Sequence, residues 1–297
     1  MLHIAVDPGK VPASVFERSP GYWQTVGRRF MGDKVAIGAA VVVLFLLILA
    51  VFGPWLAPVD PYASSMMKRL KPIGFEGHPL GTDELGRDML SRLMVGARLS
   101  LFMGITPVIL AFLVGSLIGI TAGYAGGALN TVMMRTIDVF YAFPSVLLAI
   151  ALSGALRAGI TNSLISLTIV FIPPIARVAE SVTTQIRGRD FVDAARASGA
   201  NAFTIVRVHV LGNVLGPIFV YATSLIAVAM ILASGLSFLG LGVKPPEPEW
   251  GLMLNTLRTA IYVQPWIAAL PGLMIFITSI AFNLLADGLR SAMEIKQ

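Results

Sequence analysis

Side chains able to do chemistry are sparse in this sequence, and their spacing excludes most enzymatic sites. The histidines His3, His78 and His209 lie far apart and form no ligand pair at helical spacing. There is no Cys, which removes disulfides, thiolate metal sites and cysteine nucleophiles. No G-x-x-x-x-G-K-[ST] phosphate loop occurs, and the glycines of SGLSFLGLG (234–242) neither follow a strand nor open a phosphate cradle. Two kinds of feature remain. One is the charged stretch RDFVDAARASGANAFTIVRVHVLGNVLGP at 189–217, with four ionised side chains in its first eight residues. The other is a set of ionisable residues inside apolar runs: Asp138, Arg177, Glu180 and Asp287.

The elements that must position these residues are apolar helices. Hydrophobic residues make up 56% of the chain and charged residues 13%, about half the usual share in soluble domains. Mean hydropathy is +0.80. This composition reads as an all-α integral membrane protein. The net charge of +6 does not indicate nucleic-acid binding, because Lys and Arg punctuate the ends of apolar runs instead of clustering. A helical span needs about 20 mostly apolar residues, and six segments qualify: 35–57, 99–124, 132–155, 161–186, 214–241 and 266–286. Their order predicts a cytoplasmic N-terminal segment (1–34), a first span (35–57), an outer loop (58–98), a core domain of five spans (99–288) and a cytoplasmic tail (289–297). With both termini inside, twelve Lys and Arg fall inside and nine outside, six of the nine in the loop 58–98. The basic N-terminal flank (Arg18, Arg28, Arg29, Lys34) favours that N-in, C-in orientation, with an uncleaved first span.

Within the outer loop, GTDELGRDMLSRLMVGARL offers Thr82 as an N-cap, Leu85, Met89 and Leu93 at helical spacing, and Asp83–Arg87 and Asp88–Arg92 as i,i+4 pairs. It is expected to form an amphipathic helix at the outer interface. Gly115, Gly119 and Gly123 form overlapping GxxxG steps, read as a helix-packing face. Asp138, with Arg135 one turn before it, Arg177 and Glu180 as an i,i+3 pair, and Asp287 with Asn283 could line an inner gate or pair helices. Trp250, in PPEPEW, is expected at the outer surface.

On this topology residues 187–211 face the cytoplasm. Asp190 is expected to cap a helix with Asp193 in a capping-box position, Gly199 to stop it, and Asn201 to start another. The result is a compact knuckle exposing Ala, Phe203 and Ile205. On physical grounds two roles are open for it, docking a partner or resting on lipid.

The register of Asp193, Ala194, Ala195 and Gly199 resembles the Glu-Ala-Ala…Gly signature of ABC-importer membrane subunits, with Asp for Glu. The chain is similar to the C-type subunit of the dipeptide/oligopeptide/nickel permeases. Residues 81–98 match that family's GTDELGRDxxSRLxxGAR stretch, Leu236–Leu254 its LSFLGLGxxPPxPEWGxML stretch, and FNLLADGLRSAM (282–293) its end near FNLLGDGLRDAL. Gly212 and Gly216 depart from it, standing where the family carries Pro. The resemblance implies a type I ABC-importer permease fold in the bacterial cytoplasmic (inner) membrane. It implies that this subunit binds no cofactor and is not an enzyme, with ATP and Mg held by two separate ATP-binding subunits. A second homologous permease would share the path, and an extracytoplasmic substrate-binding protein would deliver cargo. The coupling residues it implies are Asp193, Ala194, Ala195, Gly199, Ala200 and Phe203. The cargo it implies is short peptides, with nickel complexes, glutathione-like peptides or opines as alternatives. A secondary carrier would need paired broken spans with buried acids and some internal repeat. An intramembrane enzyme would need a nucleophile or metal cluster, which the sequence does not offer.

Overall fold

The structure, a computed structural model, describes residues 21–294, apart from the side chains of Tyr22 and Trp23. His3, Lys10, Arg18 and Lys296 of the expected cytoplasmic ends lie outside the described residues. The described chain is built of helices: α1 (Tyr22–Gly32), α2 (Lys34–Leu56), α3 (Met89–Ala125), α4 (Gly127–Tyr141), α5 (Ser145–Leu156), α6 (Ile160–Arg187), α7 (Asp190–Ala197), α8 (Ala202–Ile205), α9 (Leu211–Phe238), α10 (Trp250–Thr256) and α11 (Pro265–Met293). Five are long and apolar enough to cross a membrane, counting the unbroken run from Ala202 to Phe238 as one; α4 and α5 make a sixth if taken together.

Local chemistry sets several boundaries. The Asp33 carboxylate accepts hydrogen bonds from the Val35 and Ala36 N–H groups, at 2.9 and 3.1 Å, and so starts α2. Asp88 starts α3 by accepting from the Ser91 N–H at 2.7 Å. The third expected span is not one helix. α4 and α5 meet at an angle of 86°. Pro144 disfavours a helical conformation at Phe143 and brings no N–H of its own, so the helix ends and restarts with a new direction.

Three apolar clusters hold the described bundle: a small one joins α3, α4 and α6, and α3 and α9 contribute to both of the larger two. One joins them to α5 and α6 through Met103, Leu167, Ile175 and Ile218. The other joins them to α2, α10 and α11 through Leu46, Met230, Met253 and Ile267. Gly115, Gly119 and Gly123 lie where α3 crosses α6. A Cβ on Gly119 would sit 2.3 Å from the Ala176 carbonyl oxygen, and one on Gly123 2.7 Å from that of Glu180. The GxxxG steps therefore serve close backbone contact between these two helices.

Both ends of the described chain lie at one pole. Arg29 Nη1 donates to the Glu294 carbonyl at 3.0 Å, and a Cβ on Gly288 would strike Ala36. The start of α9 is at the same pole, since a Cβ on Gly216 would lie 2.6 Å from Met293 Cε. The loop 57–88 and the segment 239–264 form the other pole, joined by Tyr62 Oη donating to Glu247 at 3.0 Å.

Candidate functional site

The charged stretch forms the knuckle expected of it, at the pole that holds the chain ends. α7 begins at Asp190, and Arg189 is its N-cap residue without a side-chain bond, so Asp190 is the first helical residue and does not cap. Asp193 does not close a capping box; it pairs with Arg196 at 2.8 Å. At the far end the Gly199 N–H donates to the Arg196 carbonyl at 2.9 Å and the Ala200 N–H to the Ala195 carbonyl at 3.1 Å. These are the two bonds of a Schellman stop, which requires the left-handed φ of +81° found at Gly199. Asn201 then caps the next helix, accepting from the Thr204 N–H at 2.8 Å.

That second helix is not a separate piece. α8, one π turn (Val206–Val210) and α9 form one unbroken helical run from Ala202 to Phe238. Gly212 and Gly216 both lie within that run, in α9, without breaking it. Val192, Ile205 and Val210 are buried in the cluster that includes α3, α6 and α9, so the knuckle is anchored from beneath. Asp193, Ala194 and Phe203 face outward, Phe203 with 74% of its surface exposed. Ile205, expected to be exposed, is buried. Ala195 and Ala200 are partly buried against the core.

The second group of polar residues divides between two places. Arg177 and Glu180 do not pair with each other. Arg177 reaches across to Asp138 on α4, which also lies 3.7 Å from Arg135. The Arg177 guanidinium lies 5.7 Å from the Tyr141 ring centre. Glu180 takes a hydrogen bond from Asn130 Nδ2 at 2.7 Å and one from Thr184 at 3.1 Å, tying α6 to the start of α4. The two side chains lie one turn apart along α6 and meet α4 at different heights, Arg177 at Asp138 and Glu180 at Asn130. Asp287 is exposed near the end of α11. Beside that pair, Phe140, Tyr141, Phe143, Phe171, Pro174 and Tyr221 border a concavity of about 280 Å³ at the α4–α5 break.

At the opposite pole lies a buried ionic network that sequence reasoning misplaced. Residues 81–88 are a loop, not the start of an amphipathic helix, and Thr82 caps nothing. The Asp83 carboxylate accepts from the Leu85 and Arg87 N–H groups at 2.9 Å each and from Arg87 Nε at 2.6 Å, with Arg92 Nε 3.2 Å away. Asp88 does not pair with Arg92. It receives Ser91 and lies 3.0 Å from His78 Nδ1. Lys68 Nζ is 3.2 Å from His78 Nε2 and can only donate, so the ring hydrogen sits on Nδ1 and is given to Asp88. Burial pushes the Glu84 carboxyl above its usual range, and neighbouring Asp83 adds to the rise. Gly86 closes the loop with φ +74°, and a Cβ there would lie 1.9 Å from the Ser65 carbonyl oxygen. The helix reading failed because Asp83–Arg87 has i,i+4 spacing in a loop as well. The glycines at 81 and 86, both at positive φ, were the available signal.

The same pole corrects the reading of Trp250. Its side chain is fully buried, and its Nε1–H donates to the Leu93 carbonyl at 3.0 Å. Glu249 starts α10 by accepting from the Gly251 and Leu252 N–H groups at 2.9 and 2.8 Å. Burial nonetheless pushes its carboxyl upward against those two bonds.

Residues 115–295 match the family described as binding-protein-dependent transport system inner membrane component, and residues 21–72 match the N-terminal transmembrane domain of oligopeptide transport permease C. The chain belongs to the C-type permease subunits of ABC importers. It is 39% identical over 274 residues to a glutathione transport system permease protein of Pectobacterium atrosepticum, covering 92% of this chain and 91% of the relative. Against a di/tripeptide transport system permease protein of Pseudomonas aeruginosa it is 39% identical over 297 residues, covering 98% and 96%. A glutathione permease of Escherichia coli is 41% identical over 274 residues, covering 92% and 90%. The fold is shared with a chain of the inward-facing MetNI methionine ABC transporter, at a TM-score of 0.57 and 20% identity, over 69% of this chain and 97% of that one. The permease is thus a multi-pass protein of the bacterial inner membrane with the type I importer fold, and a component of an assembly that includes ATPase subunits.

Proposed function

We propose that this permease forms one wall of an import path for short peptides and is driven through the α7–α8 knuckle. A second, homologous permease supplies the facing wall. Two ATP-binding subunits carry ATP and Mg, and each grips one knuckle. A substrate-binding protein docks on the outer pole, whose buried ionic network keeps that platform rigid. The permease itself carries no catalytic centre in this reading. Peptide cargo is supported by its relatives, permeases of glutathione and of di/tripeptide transport systems.

The observation that carries the coupling role is the continuity of the knuckle with the bundle. The run from Ala202 to Phe238 is 37 residues, about 55 Å of helix, and its first turn belongs to the knuckle. A push on Phe203 therefore acts on one end of a lever that ends at the outer pole. Asp193, Ala194, Ala195, Gly199, Ala200 and Phe203 are the residues assigned to the ATPase contact. Small side chains let a partner backbone come close, and the exposed phenyl ring can fill a partner pocket.

Phe203→Ala tests the assignment. Because the ring is exposed, thermal unfolding of the purified permease should be unchanged within about 0.5 kcal/mol. Affinity for the ATPase subunits, titrated in detergent, should fall by roughly tenfold or more, as for a buried aromatic anchor at an interface. Unchanged affinity would remove Phe203 from the contact.

A further inference from the structure

The Arg177–Asp138 pair and the aromatic concavity beside it form one continuous surface. Tyr141 borders the concavity and also lies against the Arg177 guanidinium. Pro174 and Arg177 are three residues apart on α6, and Asp138 and Tyr141 three apart on α4, so each helix presents its charged and its apolar member on the same side. The side chains of Arg177 and Asp138 are 48% and 29% exposed. Arg177 lies ten residues, about 15 Å, before the C-terminal end of α6 and within the apolar segment 161–186 read as a span. Charges open to their surroundings at that depth do not face hydrocarbon; they face water or protein.

From this geometry we propose that the pair is a subsite for the charged ends of a short peptide, an inference that rests on the peptide path proposed above. Arg177 takes the α-carboxylate, to which its planar guanidinium can donate two parallel hydrogen bonds. Asp138 takes the α-ammonium. The aromatic wall accepts the side chains by apolar contact and makes no polar demand on them. At rest the two protein charges satisfy each other, so the wall carries no unpaired ion. When a zwitterionic peptide arrives, one ion pair is exchanged for two and the net charge stays unchanged. The termini of an extended dipeptide are about 7 Å apart, so one molecule can span two separating side chains. Such a site reads the ends common to all short peptides and ignores side-chain identity, leaving finer selection to a separate protein.

The test uses the complete importer in proteoliposomes with one binding protein throughout. Uptake of a free dipeptide is compared with its C-amidated and N-acetylated forms in the wild type, Arg177→Gln and Asp138→Asn. Since the binding protein is the same, any change in the free-to-blocked ratio belongs to the permease. Arg177→Gln should slow the free dipeptide by about tenfold and leave the amidated one within about twofold. Asp138→Asn should do the same relative to the N-acetylated form. A ratio unchanged in both variants, with free and blocked peptides slowed alike, overturns the subsite and leaves a structural ion pair. If the variants do not assemble, equilibrium dialysis of the wild-type complex without binding protein decides: saturable retention of free dipeptide but not of the N-acetyl amide is expected, and equal retention overturns the proposal. ATP-dependent uptake by the wild type is the control for the import reading. Its absence removes that reading and the subsite with it, whereas its presence with an unchanged ratio removes the subsite alone.

Discussion

Gly199→Val should reduce ATP-dependent uptake by tenfold or more while the permease remains folded and inserted. The glycine holds φ at +81° to close the Schellman stop between α7 and α8. A left-handed conformation costs an L-residue roughly 1–2 kcal/mol, and a β-branched one is the least suited to it. A Cβ at Gly199 meets no atom within 4 Å, so the effect comes from backbone strain at the corner and not from a clash in the core. Relieving that strain opens the corner, which displaces Asp193 and Ala194 relative to Phe203. Gly199→Asn is the matching control, because Asn tolerates the left-handed region and should retain most uptake. Parallel measurement of uptake and ATP hydrolysis in proteoliposomes separates loss of coupling from loss of assembly. Normal uptake by the Val variant would contradict the role given to the corner.

Asp83→Ala should be the most destabilising single change at the outer pole. Its carboxylate faces both Arg87 and Arg92 and also accepts two backbone N–H groups. Removing it leaves two buried guanidinium groups short of a partner, and breaking a buried ion pair in this way costs about 3–5 kcal/mol. The expected result is a fall of several degrees in the unfolding midpoint of the detergent-solubilised permease. The loop 81–88 should also become open to proteolysis. Removal of the exposed pair Asp193–Arg196 should by comparison cost less than about 1 kcal/mol. Equal shifts for the two would mean that the outer network does not fix the loop.

What could be read from the chain follows from how local each determinant is. The membrane class, most spans and the knuckle were legible because apolar run length, the Asn201 cap and the Gly199 stop act within a few residues. The break in the third span was signalled by Phe143–Pro144, but a continuous apolar count hides an 86° turn. The outer loop was misread because its determinants are distant: Ser65 leaves no room for a Cβ at Gly86, and Arg92 donates to the Pro61 carbonyl at 3.0 Å. Trp250 was misplaced for the same reason. A segment with three prolines and two glutamates reads as surface, yet the Glu249 carboxyl caps α10 and the buried indole donates to the Leu93 carbonyl of α3. Arg177 found Asp138, 39 residues away, and not Glu180 one turn along, a choice set by where α4 packs against α6.

The central claim is that partner ATPase subunits cover the α7–α8 knuckle. The chain has no Cys, so Ala194→Cys places a single thiol on the exposed face of α7. Its rate of modification by a membrane-impermeant maleimide, followed by intact mass in detergent, can be measured for the permease alone and in the full assembly. The expected result is fast labelling of the free permease and protection by at least about tenfold in the assembly. Equal labelling in both states would contradict the claim, because a gripped knuckle cannot leave Ala194 open to solvent.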